Sequence, residues 1–102
     1  MTTEQIKQEL KDVRYYYTMK HVFDRNIKEI YPKKIMKVIQ KYVLAMEEIS
    51  NSKLYILFTE LYVNNTTQIE LAYAWGVTRD YIKQINKELI GYLINYFAKK
   101  GE

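Results

Sequence analysis

Apolar residues recur every three or four positions along most of the chain, which is the period of amphipathic α-helices. The 102 residues contain three glycines and one proline, so few positions favour breaks in helical structure. The most regular apolar stripe consists of Ile35, Val38, Ile39, Tyr42, Val43, Met46 and Ile49. This pattern predicts an all-α fold, a helical bundle of about five helices with a helix-turn-helix near its C-terminal end.

The N-terminal segment predicts a long first helix. Thr2 and Gln5 have the spacing of a capping box, in which each side chain pairs with a backbone N–H of the first turn. The apolar stripe behind this cap is Ile6, Leu10, Val13 and Tyr17. The pattern leaves two alternatives open, because the helix either continues to about Ile30 or breaks near residues 15–17.

Two further breaks divide the middle of the chain. Pro32 disfavours α-helical geometry at Tyr31, so one helix is expected to end there and a second to begin with the proline in its first turn. The polar cluster at residues 50–52 predicts the start of a third helix, and Asn64 with Asn65 predicts its end. The buried side of this third helix is expected to be Leu54, Leu57, Phe58, Leu61 and Tyr62. We interpret 1–102 as a single domain, with N-terminal helices in 1–49 and a helix-turn-helix in 50–98.

The helix-turn-helix prediction depends on residues 66–89. Thr66 or Thr67 is placed to cap a short helix, and Gly76 follows where the chain must reverse, since glycine readily adopts the left-handed conformation that ends a helix. Val77 is expected to fill the turn and Thr78 to cap the next helix. The apolar positions of the short helix are Ile69, Leu71, Ala72 and Trp75, and the expected inward residues of the longer one are Ile82, Ile85 and Leu89. An ordinary helical hairpin is the alternative.

With these residues in place, the stretch from Leu54 to Leu93 resembles the fourth conserved region of the primary sigma-factor family. It is also similar to the C-terminal halves of small phage-encoded late-gene regulators of the RinA and ArpU type. The shared features are an apolar helix, a threonine-containing loop, a short helix with Leu71-Ala72, then Gly76-Val77-Thr78 and a long helix. The resemblance implies DNA binding in transcription, with RNA polymerase as a possible direct partner.

In a helix-turn-helix the second helix lies in the major groove of duplex DNA. Arg79 is suited to guanine O6 and N7, and Gln84 to adenine N6 and N7. Asp80 either accepts from cytosine N4 or orients Arg79, and we expect the second. Tyr81 either touches the DNA backbone or packs against Trp75, and we expect packing. The predicted DNA-binding residues are Thr67, Gln68, Thr78, Arg79, Lys83, Gln84 and Lys87. Thr67 and Gln68 are assigned to a phosphate at the positive end of the short helix.

Composition excludes several other classes of protein. The chain has no cysteine and one histidine, so it lacks a disulfide framework, a thiolate nucleophile and a histidine-rich metal site. No nucleophile–base set or glycine-rich phosphate loop is present, so we expect no enzymatic activity, catalytic residue, metal or cofactor. No apolar run is long enough for a membrane span, and the N-terminus lacks the pattern of a signal peptide. We therefore expect a cytoplasmic protein that does not interact with membranes.

The net charge of +4 is modest, so one subunit alone is expected to bind DNA weakly. Dimerisation through the N-terminal helices would double the contacts, and residues 15–17, three consecutive tyrosines, are the candidate self-association surface. A second basic group, Lys33, Lys34, Lys37 and Lys41, is either a solvated face or a contact for phosphate or an acidic partner. Two other functions remain open: a protein-interaction module that binds RNA polymerase, and a DNA-binding subunit that resembles a small terminase.

Overall fold

The computed structural model describes residues 1–23 and 33–101, which form five α-helices and no β-strand. The helices are α1 (Thr3–Phe23), α2 (Lys33–Glu47), α3 (Lys53–Phe58), α4 (Gln68–Trp75) and α5 (Arg79–Lys99). A π-helical turn, Thr59–Val63, continues α3 without a break. The prediction of an all-α fold is confirmed.

Helix α1 begins at the predicted capping box and continues through the tyrosine run. The Gln5 backbone N–H donates to Thr2 Oγ1 at 3.1 Å, and the Thr2 backbone N–H donates to Gln5 Oε1 at 2.7 Å. The helix is continuous from Thr3 to Phe23, so the alternative with a break near residues 15–17 is wrong. The predicted continuation to Ile30 lies outside the described residues.

Two of the three consecutive tyrosines at residues 15–17 pack their side chains against the core. Tyr16 is 7 % exposed although the predicted stripe did not include it, and Tyr17 is half-buried with its ring in edge-to-face contact with that of Tyr16. Tyr16 follows Val13 by three residues and Tyr17 follows it by four, and both spacings keep a side chain on the same helix face. Only Tyr15, which is 62 % exposed, is left facing solvent from this run.

Helix α2 buries the centre of its predicted stripe. Ile39, Tyr42 and Met46 are buried, together with Ala45, which the stripe had not included. The remaining members of the stripe are half-buried against the same core. The predicted role of Pro32 in opening this helix lies outside the described residues.

Helix α3 begins at Ser52, whose Oγ accepts the Tyr55 N–H at 3.2 Å, as the polar cluster predicted. Its continuation ends at Asn64, as predicted, but through a π-helical turn in which the Asn64 N–H donates to the Thr59 carbonyl oxygen at 2.8 Å. The Glu60 carboxylate holds this end by accepting hydrogen bonds from the Asn64 amide and the Thr66 hydroxyl. Asn65 follows with a φ of 59°, a left-handed conformation that asparagine tolerates better than most residues.

All five helices contribute to one cluster of buried side chains, from Ile6 in α1 to Phe97 in α5. Helix α1 packs against α5 and the π-helical turn as well as against α2, so the first helix of the chain lies beside the last. Within the described ranges, no helix is both long enough and apolar enough to cross a membrane.

Candidate nucleic-acid interface

The turn between α4 and α5 has the hydrogen bonds of a Schellman motif. Gly76 has φ 66° and ψ 35°, the predicted left-handed conformation, and its N–H donates to the Tyr73 carbonyl oxygen at 3.2 Å. The Val77 N–H donates to the Ala72 carbonyl oxygen at 2.9 Å, and the Val77 side chain packs against the core. These two bonds satisfy carbonyl groups at the end of α4 and fix where the chain turns.

Both helices of this pair begin at a threonine cap. Thr67 Oγ1 accepts the Glu70 N–H at 3.1 Å and the Glu70 carboxylate accepts the Thr67 N–H at 3.1 Å, which makes a complete capping box. Thr78 Oγ1 accepts the Tyr81 N–H at 3.1 Å. The two threonines are exposed, and the Thr78 hydroxyl keeps its own hydrogen for an external acceptor.

The Glu70 carboxylate lies at the start of α4, where a phosphate was predicted to bind. Hydrogen bonds from Thr67, first from its backbone N–H and then from its side chain, lower the pKa of Glu70, and the nearby Arg14 charge acts in the same direction. Glu70 is therefore ionised at neutral pH, and its negative charge opposes an incoming phosphate. Gln68, the other predicted phosphate ligand, is half-buried.

Helix α5 places apolar and polar residues on different sides, as predicted. Ile82, Ile85 and Leu89 are at most 1 % exposed and anchor the helix to the core. The outward residues that were predicted to contact DNA are Arg79, Lys83, Gln84 and Lys87, all of them exposed. In the described part of the chain, none of these four side chains makes a hydrogen bond or an ion pair.

Two predicted contacts next to this surface are not formed. Asp80 makes no ion pair with Arg79, because neighbouring residues on a helix point about 100° apart. Tyr81 is 45 % exposed and has no ring contact with Trp75 among the described side chains. Trp75 is only half-buried against the core.

The outward side of α4 is more apolar than predicted. Ile69, one of the predicted apolar positions, is 63 % exposed, because it lies two residues before the buried Leu71 and so on a nearly opposite side of the helix. Tyr73, one turn further along, is 91 % exposed. The two side chains form an apolar strip beside the α4–α5 turn.

Sequence reasoning missed a polar pair behind α5. The Tyr62 hydroxyl donates to Asn86 Oδ1 at 2.7 Å, and this bond connects the π-helical turn to α5. Burial raises the pKa of Tyr62, and the hydrogen bond with Asn86 and the Arg14 charge only partly offset that effect. No spacing along the chain points to this bond, because its two residues belong to different elements.

The second basic group, on α2, is not a uniform solvated face. Lys41 is half-buried, with its Nζ 3.1 Å from Glu9 Oε1 in α1 and 5.0 Å from the centre of the Phe97 ring. Lys34 and Lys37 are exposed beside it. Lys41 therefore belongs to the contact between α1 and α2, and the side chain of Lys33 lies outside the described part of the structure.

Neither a known protein family nor a curated protein or solved structure matches the chain. Among the side chains that the structure describes, acidic and histidine residues do not gather into a group of three that could hold a metal ion.

Proposed function

We propose that this protein is a sequence-specific, double-stranded DNA-binding regulator of transcription, of the phage or mobile-element type, acting in the cytoplasm without enzymatic activity. The α4–α5 pair is the proposed helix-turn-helix, with α5 in the major groove. The resemblance of residues 54–93 to the fourth sigma-factor region supports the same proposal.

The observation that carries the proposal is the unpartnered polar surface of α5. Arg79, Lys83 and Lys87 supply three positive charges and Gln84 an amide, and the chain uses none of these groups for its own hydrogen bonds or ion pairs among the described residues. Lys41 provides the contrast, because its charge is neutralised by Glu9 within the fold. A row of available donors on one exposed helix is what the major groove requires.

Each side chain receives a role from its chemistry. Arg79 and Gln84 read base edges, since a guanidinium and an amide each offer two hydrogen bonds in a plane. Lys83 and Lys87 bind phosphates, whose contribution does not depend on sequence. Thr78 donates its hydroxyl hydrogen to the DNA backbone, and Gln68 contacts a phosphate beside Thr67.

The test is selection of bound duplexes from a random pool, followed by affinity measurements on the enriched site. We expect Arg79→Ala and Gln84→Ala each to remove about 1–3 kcal/mol of discrimination at one or two base positions. Lys99→Ala is the control, because Lys99 is exposed at the far end of the same helix. Absence of duplex binding at low salt, or an unchanged sequence preference in both α5 variants, would contradict the proposal.

A second copy of the chain would strengthen binding if the enriched sites occur as two spaced halves. Tyr15 on α1 and Leu44 on α2 are 62 % and 59 % exposed and are the apolar residues available for such a dimer of N-terminal helices. Sedimentation of the protein with and without a two-half duplex measures this directly.

The exposed strip of Ile69 and Tyr73 favours a second function, contact with a protein such as RNA polymerase. Exposed aromatic residues are common at protein–protein interfaces. Co-elution with purified polymerase in the absence of DNA, abolished in Tyr73→Ser, would support this function. Co-elution that requires DNA would favour the DNA-binding function alone.

A further inference from the structure

A groove between α1 and α5 runs along the side of the proposed DNA-reading helix. Lys7, Lys11 and Arg14 line it from α1, and Asn86 lines it from α5. Tyr62 closes its base from the π-helical turn. Three basic residues of the first helix thus share one groove with the helix that carries Lys83 and Lys87.

The basic residues of this groove are largely uncommitted. Lys11 and the Arg14 guanidinium make no hydrogen bond or ion pair within the described chain, although the Arg14 charge is near enough to the exposed Glu70 carboxylate to act on its pKa. Lys7 has one partner, Glu4, at 3.9 Å, and both side chains are more than half exposed. Such an exposed ion pair is weak, so Lys7 remains available to another anion. Glu4 lowers the positive charge only at the N-terminal end of the groove.

The spacing of the cations suits an extended anion. Lys7, Lys11 and Arg14 are separated by four and three residues, which keeps them on one face and spreads them over about 10 Å of helix axis. One strand of a duplex carries a phosphate about every 3.4 Å along the axis of the double helix. These three cations, which we call the basic row, therefore extend far enough to face two or three successive phosphates.

Asn86 contributes a donor of fixed orientation. Its Oδ1 accepts the Tyr62 hydroxyl at 2.7 Å, which leaves the NH₂ group of the same amide to donate to another acceptor. Lys83 precedes Asn86 by one helical turn and Lys87 follows it directly. The groove is thus continuous with the exposed cations of α5.

The position of α1 relative to the loop that precedes α4 is also fixed by specific bonds. In the amide orientation that its neighbours require, the Asn65 side chain donates to the Arg14 carbonyl oxygen at 3.3 Å and accepts the Thr18 hydroxyl at 2.9 Å. Asn65 lies two residues before the Thr67 cap of α4. The three basic residues of α1 therefore lie beside α5, and α1 is held to the loop that leads into α4.

We propose that Lys7, Lys11 and Arg14 of α1, with the Asn86 amide, bind the sugar–phosphate backbone of the duplex whose major groove α5 reads. This inference rests on the proposed function and extends the DNA footprint from two helices to three. The groove binds phosphates without reading bases, so it adds affinity and salt dependence but no sequence preference.

The test measures the slope of log K against log salt concentration for the enriched duplex. Removing one phosphate-binding side chain is expected to reduce the magnitude of this slope by about 1, so Lys11→Gln should lower it by about 1 and the double variant Lys11→Gln/Arg14→Gln by about 2. Affinity for specific and unrelated duplexes should fall by the same factor. Asn86→Asp is a further variant, since it keeps an acceptor for Tyr62 and puts a negative charge in the groove, and it should weaken binding to both duplexes.

Lys20→Gln is the matched control, because Lys20 is an exposed lysine on α1 about 180° around the helix from Lys11. If Lys11→Gln and the double variant match this control in affinity and slope, the groove does not bind DNA, while the dependence on Arg79 and Gln84 still supports the proposed function. A changed base preference in the α1 variants would overturn the backbone role. A wild-type protein that binds no duplex at low salt would overturn both proposals.

Discussion

Two capping boxes begin helices in the part of the chain that the structure describes. The box at α1 pairs Thr2 with Gln5, and the box at α4 pairs Thr67 with Glu70. Their backbone geometry is the same, but only the second contains a group that changes its charge with pH. The chain therefore offers an internal comparison between a neutral and an ionised cap.

Glu70→Gln should reduce stability at neutral pH and matter less in acid. Hydrogen bonds from Thr67 lower the pKa of Glu70 in the folded protein below its ordinary value of 4.5, so the folded state favours the carboxylate. Its stabilising effect is complete above that ordinary value and disappears as the pH falls through the lowered pKa. Melting temperatures of both proteins between pH 7 and pH 3 should therefore converge at the acidic end. The control is Gln5→Ala, whose effect on melting temperature should be nearly independent of pH, and a constant difference for Glu70→Gln would contradict the prediction.

At the scale of elements, the α4–α5 pair depends on the backbone conformation of one residue. Gly76 is left-handed, and a Cβ atom added there would meet no atom within 4 Å. A substitution at Gly76 is therefore disfavoured by backbone conformation alone and not by a clash. Gly91, in the interior of α5, also has open space around it but has an ordinary helical φ.

Substituting the two glycines by alanine should change stability in opposite directions. Gly76→Ala should destabilise the fold by about 1–2 kcal/mol, because the left-handed conformation costs a residue with a Cβ atom that amount. Gly91→Ala should stabilise it by about 0.5–1 kcal/mol, because alanine restricts the unfolded chain and favours helix. Urea unfolding of the two variants measures both values. Equal effects of the same sign would show that the turn does not require the left-handed conformation.

Local signals made the caps and the turn predictable. Thr67, Gly76 and Thr78 act through hydrogen bonds to residues within five positions, so the sequence alone contains both partners. The inward face of α5 was predictable for a similar reason, since Ile82 and Ile85 follow the helical period.

What could not be predicted depends on partners distant in sequence. The burial of Tyr16 and the exposure of Ile69 agree with their helical spacing from Val13 and Leu71, but the sequence alone does not say which side of each helix the fold covers. The pairing of Lys41 with Glu9 is decided by which helices meet, and periodicity contains no such information. The Tyr62–Asn86 bond joins residues 24 positions apart and is a further example. The predicted site residues on α5 are exposed, as expected. The groove that contains Lys7, Lys11 and Arg14 exists only because α1 packs beside α5, and the sequence does not predict that packing.

At the scale of the whole molecule, hydrogen bonds at the edge of the core connect α2 to α1 and to α5. Glu9 in α1 accepts hydrogen bonds from Lys41 and from the Tyr42 hydroxyl, the latter at 2.9 Å. The Tyr92 hydroxyl of α5 donates to the Ala45 carbonyl oxygen at 2.6 Å. These bonds join three helices, so removal of one acceptor affects the assembly and not a single element.

Glu9→Gln should destabilise the protein by about 1–3 kcal/mol, because the half-buried Lys41 charge would then have no counter-charge. Glu4→Gln is the matched control on the same helix, and its effect should stay within about 0.5 kcal/mol because its pair with Lys7 is exposed. Chemical unfolding at neutral pH measures both. Equal destabilisation of the two variants would mean that the Glu9–Lys41 pair contributes no more than a surface ion pair.

The contact of α1 with α5 has a consequence during translation. The buried Val13 precedes the buried Phe97, in the last turns of α5, by 84 positions, and ribosomes add on the order of 5–20 residues per second. For several seconds, then, the apolar stripe of α1 has been synthesised without α5, one of the elements that finally cover it. Until α5 is complete, Ile6, Leu10 and Val13 lack part of their native cover and are the apolar surface of α1 that a chaperone would recognise.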